Sequence, residues 1–142
     1  MNDVFSPFAR GCALVAIAAT LFHFAWIAMR YPTLPERIPR HFGLLGKPDR
    51  WGNKRLIWLN PAVALGMVVA LGFVARSSVA RASGTGAEDA RQVSIVAAYV
   101  SLIMLVVSLR TVAVAEKRAD GMGRLMVPVL FAATALLVLL MR

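Results

Sequence analysis

The chain has 142 residues, of which 59% are hydrophobic and 16% are charged. A typical soluble domain has about 45–50% apolar and about 25% charged residues, so the composition excludes an ordinary soluble enzyme domain. The formal net charge is +9, but the basic residues flank long apolar runs. Contact with anionic lipid head groups explains that charge better than nucleic acid does, and we expect no nucleic-acid partner. The single cysteine, Cys12, excludes an internal disulfide.

Four apolar segments are long enough, or nearly so, to cross the roughly 30 Å of hydrocarbon in a bilayer. In chain order they are residues 11–29, 56–75, 93–115 (interrupted by Arg110) and 125–141. Because lipid offers the backbone no hydrogen-bond partner, each segment is predicted to be a helix. The sequence therefore predicts an all-α integral membrane protein, a four-transmembrane-helix bundle in one membrane domain over residues 1–142.

The first span is long for a signal peptide, and residues 28–31 form a poor cleavage site, so we expect the first helix to be retained. Small residues four apart predict helix-packing faces on two of the other spans. These residues are Ala62, Gly66 and Ala70 on the second span, and Ser94, Ala97, Ala98 and Ser101 on the third.

The segment between the first two spans, residues 30–55, is rich in proline, glycine and charge. Its prolines favour extended backbone and its glycines permit tight turns. Thr33 and Glu36 have the spacing of a helix-capping box, which predicts a single helical turn. Tyr31 and Trp51 are residue types that favour the membrane–water interface. We therefore predict an ordered interfacial loop between helices 1 and 2.

Part of this segment, residues 31–54, carries a family resemblance. Its pattern comprises Leu34, Pro35, Ile38, Pro39, His41, Phe42, Gly43, Gly46, Pro48, Asp49, Trp51, Gly52 and Lys54. It resembles the signature of bacterial membrane proteins grouped as domain of unknown function 1648, which also forms the N-terminal part of SdpI-type immunity proteins. The resemblance implies a multi-pass protein of the bacterial cytoplasmic (inner) membrane. In the SdpI branch it implies protection against a secreted peptide toxin and sequestration of a repressor.

This chain departs from the SdpI branch because those immunity proteins are longer, with additional spans after the motif. The residues themselves make the loop a candidate binding element, since His41 can titrate and Asp49 can pair with a cation such as Arg50 or Lys54. The candidate binding residues here are His41, Phe42, Gly43, Gly46, Asp49, Trp51 and Lys54. The competing interpretation is that the loop only connects two spans.

Three of the polar residues inside the apolar spans are candidates for a site, because ionisable groups are costly there. His23, Asn60 and Arg110 each lie roughly 7–10 Å from a span end, at 1.5 Å per residue, and those ends face the same side. We therefore add them to the candidate binding residues, as a polar pocket beneath the loop, with Asp49 or Glu116 as counter-ion of Arg110. The simpler interpretation gives each residue a structural role. The long side chain of Arg110 extends to the interface, and His23 forms a hydrogen bond to a neighbouring helix. Asn60 caps the helix that follows it.

The distribution of basic residues predicts the orientation. The first and third loops share one side and contain Arg30, Arg37, Arg40, Lys47, Arg50, Lys54, Arg55, Lys117, Arg118 and Arg124. The other side contains Arg10, Arg76, Arg81, Arg91 and Arg142. The excess of positive charge favours a cytoplasmic first loop and outward termini, although charges held for binding would weaken that inference.

No catalytic motif is present: the sequence contains no phosphate-binding glycine loop, zinc-protease helix or nucleophile elbow. We therefore expect no enzymatic activity and no cofactor, and the two isolated histidines predict no metal site. The leading hypothesis is a non-enzymatic receptor or immunity-like protein whose loop recognises a peptide toxin, a lipid or a regulator. The alternatives are an accessory subunit of a larger membrane complex and a small transporter acting as a homo-oligomer.

Overall fold

The computed structural model describes residues 6–43, 45–80, 86–121, 123, 128–130 and 132–135. Within these residues the chain forms helix α1 (Pro7–Arg30), strand β1 (Arg37–Phe42), strand β2 (Pro48–Asn53), helix α2 (Leu59–Ala80) and helix α3 (Gly86–Ala115). Short 3-10 turns at Tyr31–Thr33 and Lys54–Trp58 connect the strands to α1 and α2.

Three of the predicted spans are confirmed as helices long and apolar enough to cross a membrane, which indicates a membrane protein. The spans cover Pro7–Thr33, Lys54–Ser77 and Ala90–Ala115. Large apolar side chains such as Leu21 and Phe73 are exposed on these helices, as expected where lipid is the solvent. The fourth predicted span, residues 125–141, lies largely outside the described residues and stays a prediction.

The chain divides into two compact units. The first comprises Met1–Ala25 and Leu59–Leu105, and its buried residues are mostly alanines, which allow helix backbones to approach closely. In this unit the Thr20 hydroxyl donates a hydrogen bond to Ser101 Oγ at 3.3 Å. The predicted small-residue face of the third span contributes buried residues, namely Ser94, Ala97 and Ser101. The predicted face of the second span is exposed, and α2 instead buries Ala64 and Ala75.

The second unit comprises Trp26–Trp58 and Val106–Arg142. Its apolar core joins residues from the end of α1, the segment between α1 and α2, and the end of α3. The core residues are Ile27, Leu34, Ile38, Ile57, Val112 and Ala115, with Trp26, Tyr31 and Trp58 packed against them. Because Leu34 and Ile38 are almost fully buried in this core, the segment between the first two spans is anchored to the helix ends.

Strands β1 and β2 form an antiparallel hairpin, so the prediction of a purely α-helical fold is wrong at this point. We call residues 37–53 the motif hairpin. The register pairs Arg37 with Asn53, Ile38 with Gly52, Pro39 with Trp51, His41 with Arg50, and Phe42 with Pro48, with irregularities on either side of His41. The chain is mostly helical otherwise, and the position of the hairpin at a membrane interface stays a prediction.

The predicted helical turn at Thr33–Glu36 is also wrong. The preceding 3-10 turn ends at Thr33, and Leu34 is already extended, with φ −71° and ψ 139°. Pro35 explains this, because a proline disfavours helical geometry in the residue before it. Glu36 forms an ion pair with Lys54.

Candidate functional site

The base of the motif hairpin is closed by Lys54. Its ammonium lies 2.9 Å from Glu36 Oε1, 3.5 Å from the Leu34 carbonyl oxygen and 5.3 Å from the centre of the Tyr31 ring. The Lys54 backbone N–H also donates to the Glu36 carbonyl at 3.0 Å. The Lys54 side chain is 18% exposed. These contacts give this predicted binding residue a structural role at the hairpin base.

The tip of the hairpin depends on two predicted site glycines. The Gly43 N–H donates to the Lys47 carbonyl at 2.9 Å, and the Gly46 N–H donates to the Gly43 carbonyl at 2.8 Å. Gly46 has a φ of 73°, a conformation that favours glycine. A Cβ at Gly121 would collide with the Gly46 carbonyl oxygen, so the segment after α3 lies directly against the tip.

Because Gly52 has no side chain, the Arg40 side chain can lie across β2. A Cβ at Gly52 would overlap the Cγ and Cδ atoms of Arg40, so only glycine leaves room for this stem. Phe42, another predicted site residue, is half-buried at the end of β1.

Five side chains of the hairpin line an open cleft with a volume of about 580 Å³: Arg40, His41, Asp49, Arg50 and Trp51. We call this the hairpin cleft. His41 Nδ1 lies 2.8 and 2.9 Å from the two carboxylate oxygens of Asp49. The hairpin thus brings Asp49 to His41, a pairing that the sequence left open beside Arg50, Lys54 or another cation. Trp51 is 47% exposed.

The chemistry of the hairpin cleft favours binding. Guanidinium groups such as those of Arg40 and Arg50 bind carboxylates or phosphates through paired hydrogen bonds. The Asp49 carboxylate orients the His41 imidazole, and the exposed Trp51 ring offers an apolar contact. No serine, threonine or cysteine is among the described residues that line the cleft, so this lining supplies no hydroxyl or thiol nucleophile.

Arg110 lines a different cavity, of about 490 Å³, within the second unit. Its other lining residues are Trp26, Arg30, Leu109, Ala113 and Arg118. We call this cavity the arginine pocket. The Arg110 side chain forms no ion pair or hydrogen bond with the residues that the structure describes.

Neither expected counter-ion pairs with Arg110. Asp49 is bound to His41, and Glu116 accepts hydrogen bonds from Arg30 Nη2 at 2.5 Å and Arg118 Nε at 2.7 Å. The Glu116 side chain is only 13% exposed. The predicted Arg110–Glu116 pair is therefore wrong, because the two other arginines occupy this carboxylate.

The end of α3 explains how Arg118 reaches Glu116. Lys117 has a left-handed φ of 57°. The Arg118 N–H donates to the Ala113 carbonyl at 2.8 Å, and the Lys117 N–H donates to the Val114 carbonyl at 3.0 Å. This bonding is the Schellman motif, which ends the helix and turns the chain back on itself.

His23 and Asn60 lie in the first unit, and the grouping of both with Arg110 beneath the loop stays a prediction. His23 is fully buried, and neither ring nitrogen has a hydrogen-bond partner in the described part of the chain. α2 begins at Leu59, directly after a 3-10 turn, so Asn60 lies in the first turn of the helix and its capping role stays a prediction. Over the described residues, no three His, Cys, Asp or Glu side chains are grouped to hold a metal ion.

Sequence reasoning missed two cleft residues, Arg40 and Arg50, as binding candidates, and also Arg30 and Arg118 of the arginine pocket. The signal in the sequence that was missed is the pairing of two short strands. Two short extended segments separated by a glycine-containing turn predict a hairpin, and its register would have placed Arg50 opposite His41. No comparable signal in the sequence identifies the arginine pocket, because its residues come from distant positions.

Comparisons with known proteins give one family match, which includes the hairpin, and one relative. Residues 17–65 match the model of the family described as "Domain of unknown function (DUF1648)", which confirms the resemblance drawn from the motif. An "Uncharacterized protein" from Archaeoglobus fulgidus is 36% identical over 66 residues. That match covers 44% of this chain but only 36% of the relative, so the chain spans about a third of that protein's length. No solved structure matches the chain.

Proposed function

From the match of residues 17–65 to the DUF1648 family, we propose that this is a non-enzymatic, multi-pass protein of the bacterial inner membrane that recognises a partner through the motif hairpin. The matched segment contains the whole hairpin, the end of α1 that packs beneath it and the start of α2. The observation that carries the proposal is the hairpin cleft, where two arginines and an exposed tryptophan surround the His41–Asp49 pair.

The architecture separates supporting residues from recognition residues. Leu34 and Ile38 are buried in the core, Gly46 shapes the tip and Lys54 closes the base. These residues form a rigid support. The side chains of the hairpin cleft are exposed on that support, and rigid presentation lowers the entropy lost on binding.

The chemistry of the cleft favours an acidic peptide segment that carries an apolar side chain. Arg40 and Arg50 would pair with its carboxylates, and Trp51 would pack against its apolar group. The resemblance to SdpI-type immunity proteins makes a secreted peptide toxin one candidate partner, and a cytoplasmic regulator is the other. The compartment that the hairpin faces decides between them.

The proposal is tested with the full chain in nanodiscs of neutral phosphatidylcholine. Two fluorescein-labelled peptides serve as probes: one places four glutamates around a central leucine, and the other replaces each glutamate with lysine. Fluorescence anisotropy measures their affinities. We expect the acidic peptide to bind. Arg50→Ala should weaken binding at least roughly tenfold, since one charge-assisted hydrogen bond contributes about 1.5–3 kcal/mol. Trp51→Ala should also weaken binding, because the apolar contact is lost.

Arg37→Ala is the matched control, because Arg37 is an exposed arginine on the same hairpin but lies outside the cleft lining. It should leave the affinity within twofold of the unchanged chain. Equal binding of the acidic and basic peptides, or equal losses from Arg37→Ala and Arg50→Ala, would reject recognition by the cleft.

A further inference from the structure

The arginine pocket has a basic rim and an apolar wall. Three guanidinium groups line it, from Arg30 at the end of α1, Arg110 on α3 and Arg118 after α3. The apolar wall is formed by Trp26, Leu109 and Ala113. No acidic side chain is among the described residues that line the pocket.

The charges of the pocket remain positive after Glu116 and the two helix ends are included. Glu116 neutralises one of the three arginine charges by pairing with Arg30 and Arg118. The C-terminal ends of α1 and α3 each add roughly half a negative charge. The sum leaves about one net positive charge. Arg110 is exposed, and it does not pair with Glu116.

The position of the pocket along the helices fits the head-group region of a membrane. Arg30 ends α1, and Arg110 lies five residues before the end of α3, about 8 Å along the axis. Both helices are long and apolar enough to cross a membrane, which places their ends near the lipid phosphates. Trp26 lies one turn below Arg30, and tryptophan favours this depth.

We propose that the arginine pocket binds the phosphate of an anionic phospholipid, with the acyl chains lying below along Trp26 and Leu109. A phospholipid joins a negative phosphate to apolar chains, and the pocket lining likewise combines guanidinium groups with apolar side chains. Arg110 is available to pair with the phosphate because Glu116 does not bind it. Glu116 holds Arg30 and Arg118 in place. This inference uses none of the hairpin cleft residues and does not depend on the proposed function.

Native mass spectrometry of the full chain in a neutral detergent tests the proposal. The probes are phosphatidylglycerol and phosphatidylcholine with identical acyl chains, each added at increasing concentration. We expect phosphatidylglycerol to be retained preferentially, as one molecule per chain. Arg110→Gln and Arg118→Gln should each weaken its retention roughly fivefold, the effect of about 1 kcal/mol per basic residue.

Arg37→Gln is the control, because it removes the same charge from an exposed residue outside the pocket lining. It should retain phosphatidylglycerol as the unchanged chain does. Equal retention of the two lipids would overturn the proposal, and so would equal losses from Arg37→Gln and Arg110→Gln. Inorganic phosphate, added as a competitor, should not displace the lipid at equal concentration. Displacement would assign the pocket to a soluble anion and overturn the lipid assignment.

Discussion

Among individual residues, Glu116 has the most demanding environment. Its carboxylate is mostly buried and accepts hydrogen bonds from Arg30 and Arg118, with Thr33 Oγ1 at 3.4 Å from its second oxygen. It therefore links the end of α1 to the turn that follows α3. A carboxylate in such a position stabilises the fold only while its cationic partners remain, and the partners depend on it in turn.

Replacing Glu116 with alanine is expected to lower the free energy of unfolding by about 2 kcal/mol, because charge-assisted hydrogen bonds to two arginines are lost. Thermal unfolding of the purified chain in detergent measures the change. Glu88→Ala is the matched control, since Glu88 pairs with Arg91 at 3.5 Å on an exposed helix surface. That pair contributes about 0.2–0.5 kcal/mol. Similar effects from both variants would show that the Glu116 pairs contribute no more than surface ones.

Lys117 has a backbone conformation that favours glycine, with a φ of 57°. Lys117→Gly is therefore expected to raise the free energy of unfolding by about 1 kcal/mol. Thermal unfolding again gives the measurement. Lys117→Ala removes the same charge but keeps a Cβ, so it should give no comparable gain. A gain from alanine as large as that from glycine would attribute the effect to charge.

At the scale of secondary-structure elements, the motif hairpin is held at both ends. Its base is clamped by Lys54, and its tip lies against the segment that follows α3 at Gly121. Gly66, on the predicted small-residue face of α2, makes no such contact, because a Cβ there would meet nothing within 4 Å. Gly121 is therefore held in a close contact, whereas Gly66 has open space beside it.

Gly121→Ala is expected to displace the hairpin tip, because the new Cβ would collide with a backbone carbonyl that cannot rotate away. Overpacking of this kind costs about 1–3 kcal/mol. Hydrogen–deuterium exchange should show faster exchange of the Gly43 and Gly46 amides, whose hydrogen bonds form the tip. Gly66→Ala is the control and should leave those amides unchanged. Unchanged exchange in Gly121→Ala would contradict the contact.

At the scale of the whole molecule, the described chain contains three helices of membrane length and a hairpin between the first two. The predicted multi-pass topology puts the basic residues of the hairpin and of the segment after α3 on one side of the membrane. The positive-inside rule predicts that this side is cytoplasmic. That orientation would favour an intracellular regulator as the hairpin's partner over a secreted toxin.

Cysteine labelling tests this orientation in intact cells. Leu45→Cys, in a chain that also carries Cys12→Ser, places a thiol at a position that is 79% exposed on the hairpin. We expect a membrane-impermeant maleimide to label it only after the cells are permeabilised. Gly84→Cys in the same background is the control and should be labelled in intact cells, because the predicted topology puts the second loop on the opposite side. Labelling of Leu45→Cys in intact cells would place the hairpin outside and make a secreted peptide the favoured partner.

The membrane character of this protein was determined by the sequence alone, because hydrocarbon leaves a long apolar segment no alternative to a helix. The family resemblance also came from the sequence alone, through the residues of the segment around His41 and Asp49. These features depend on local composition, which a linear sequence displays directly. Three of the predicted spans and the family resemblance were confirmed on that basis.

Tertiary structure alone decided which charged groups meet. Asp49 pairs with His41 because strand pairing brings together residues eight positions apart. Glu116 pairs with Arg30 across 86 positions because the ends of α1 and α3 share one core. The strength of an ion pair depends on distance and burial, and neither quantity is written in the spacing of residues along the chain.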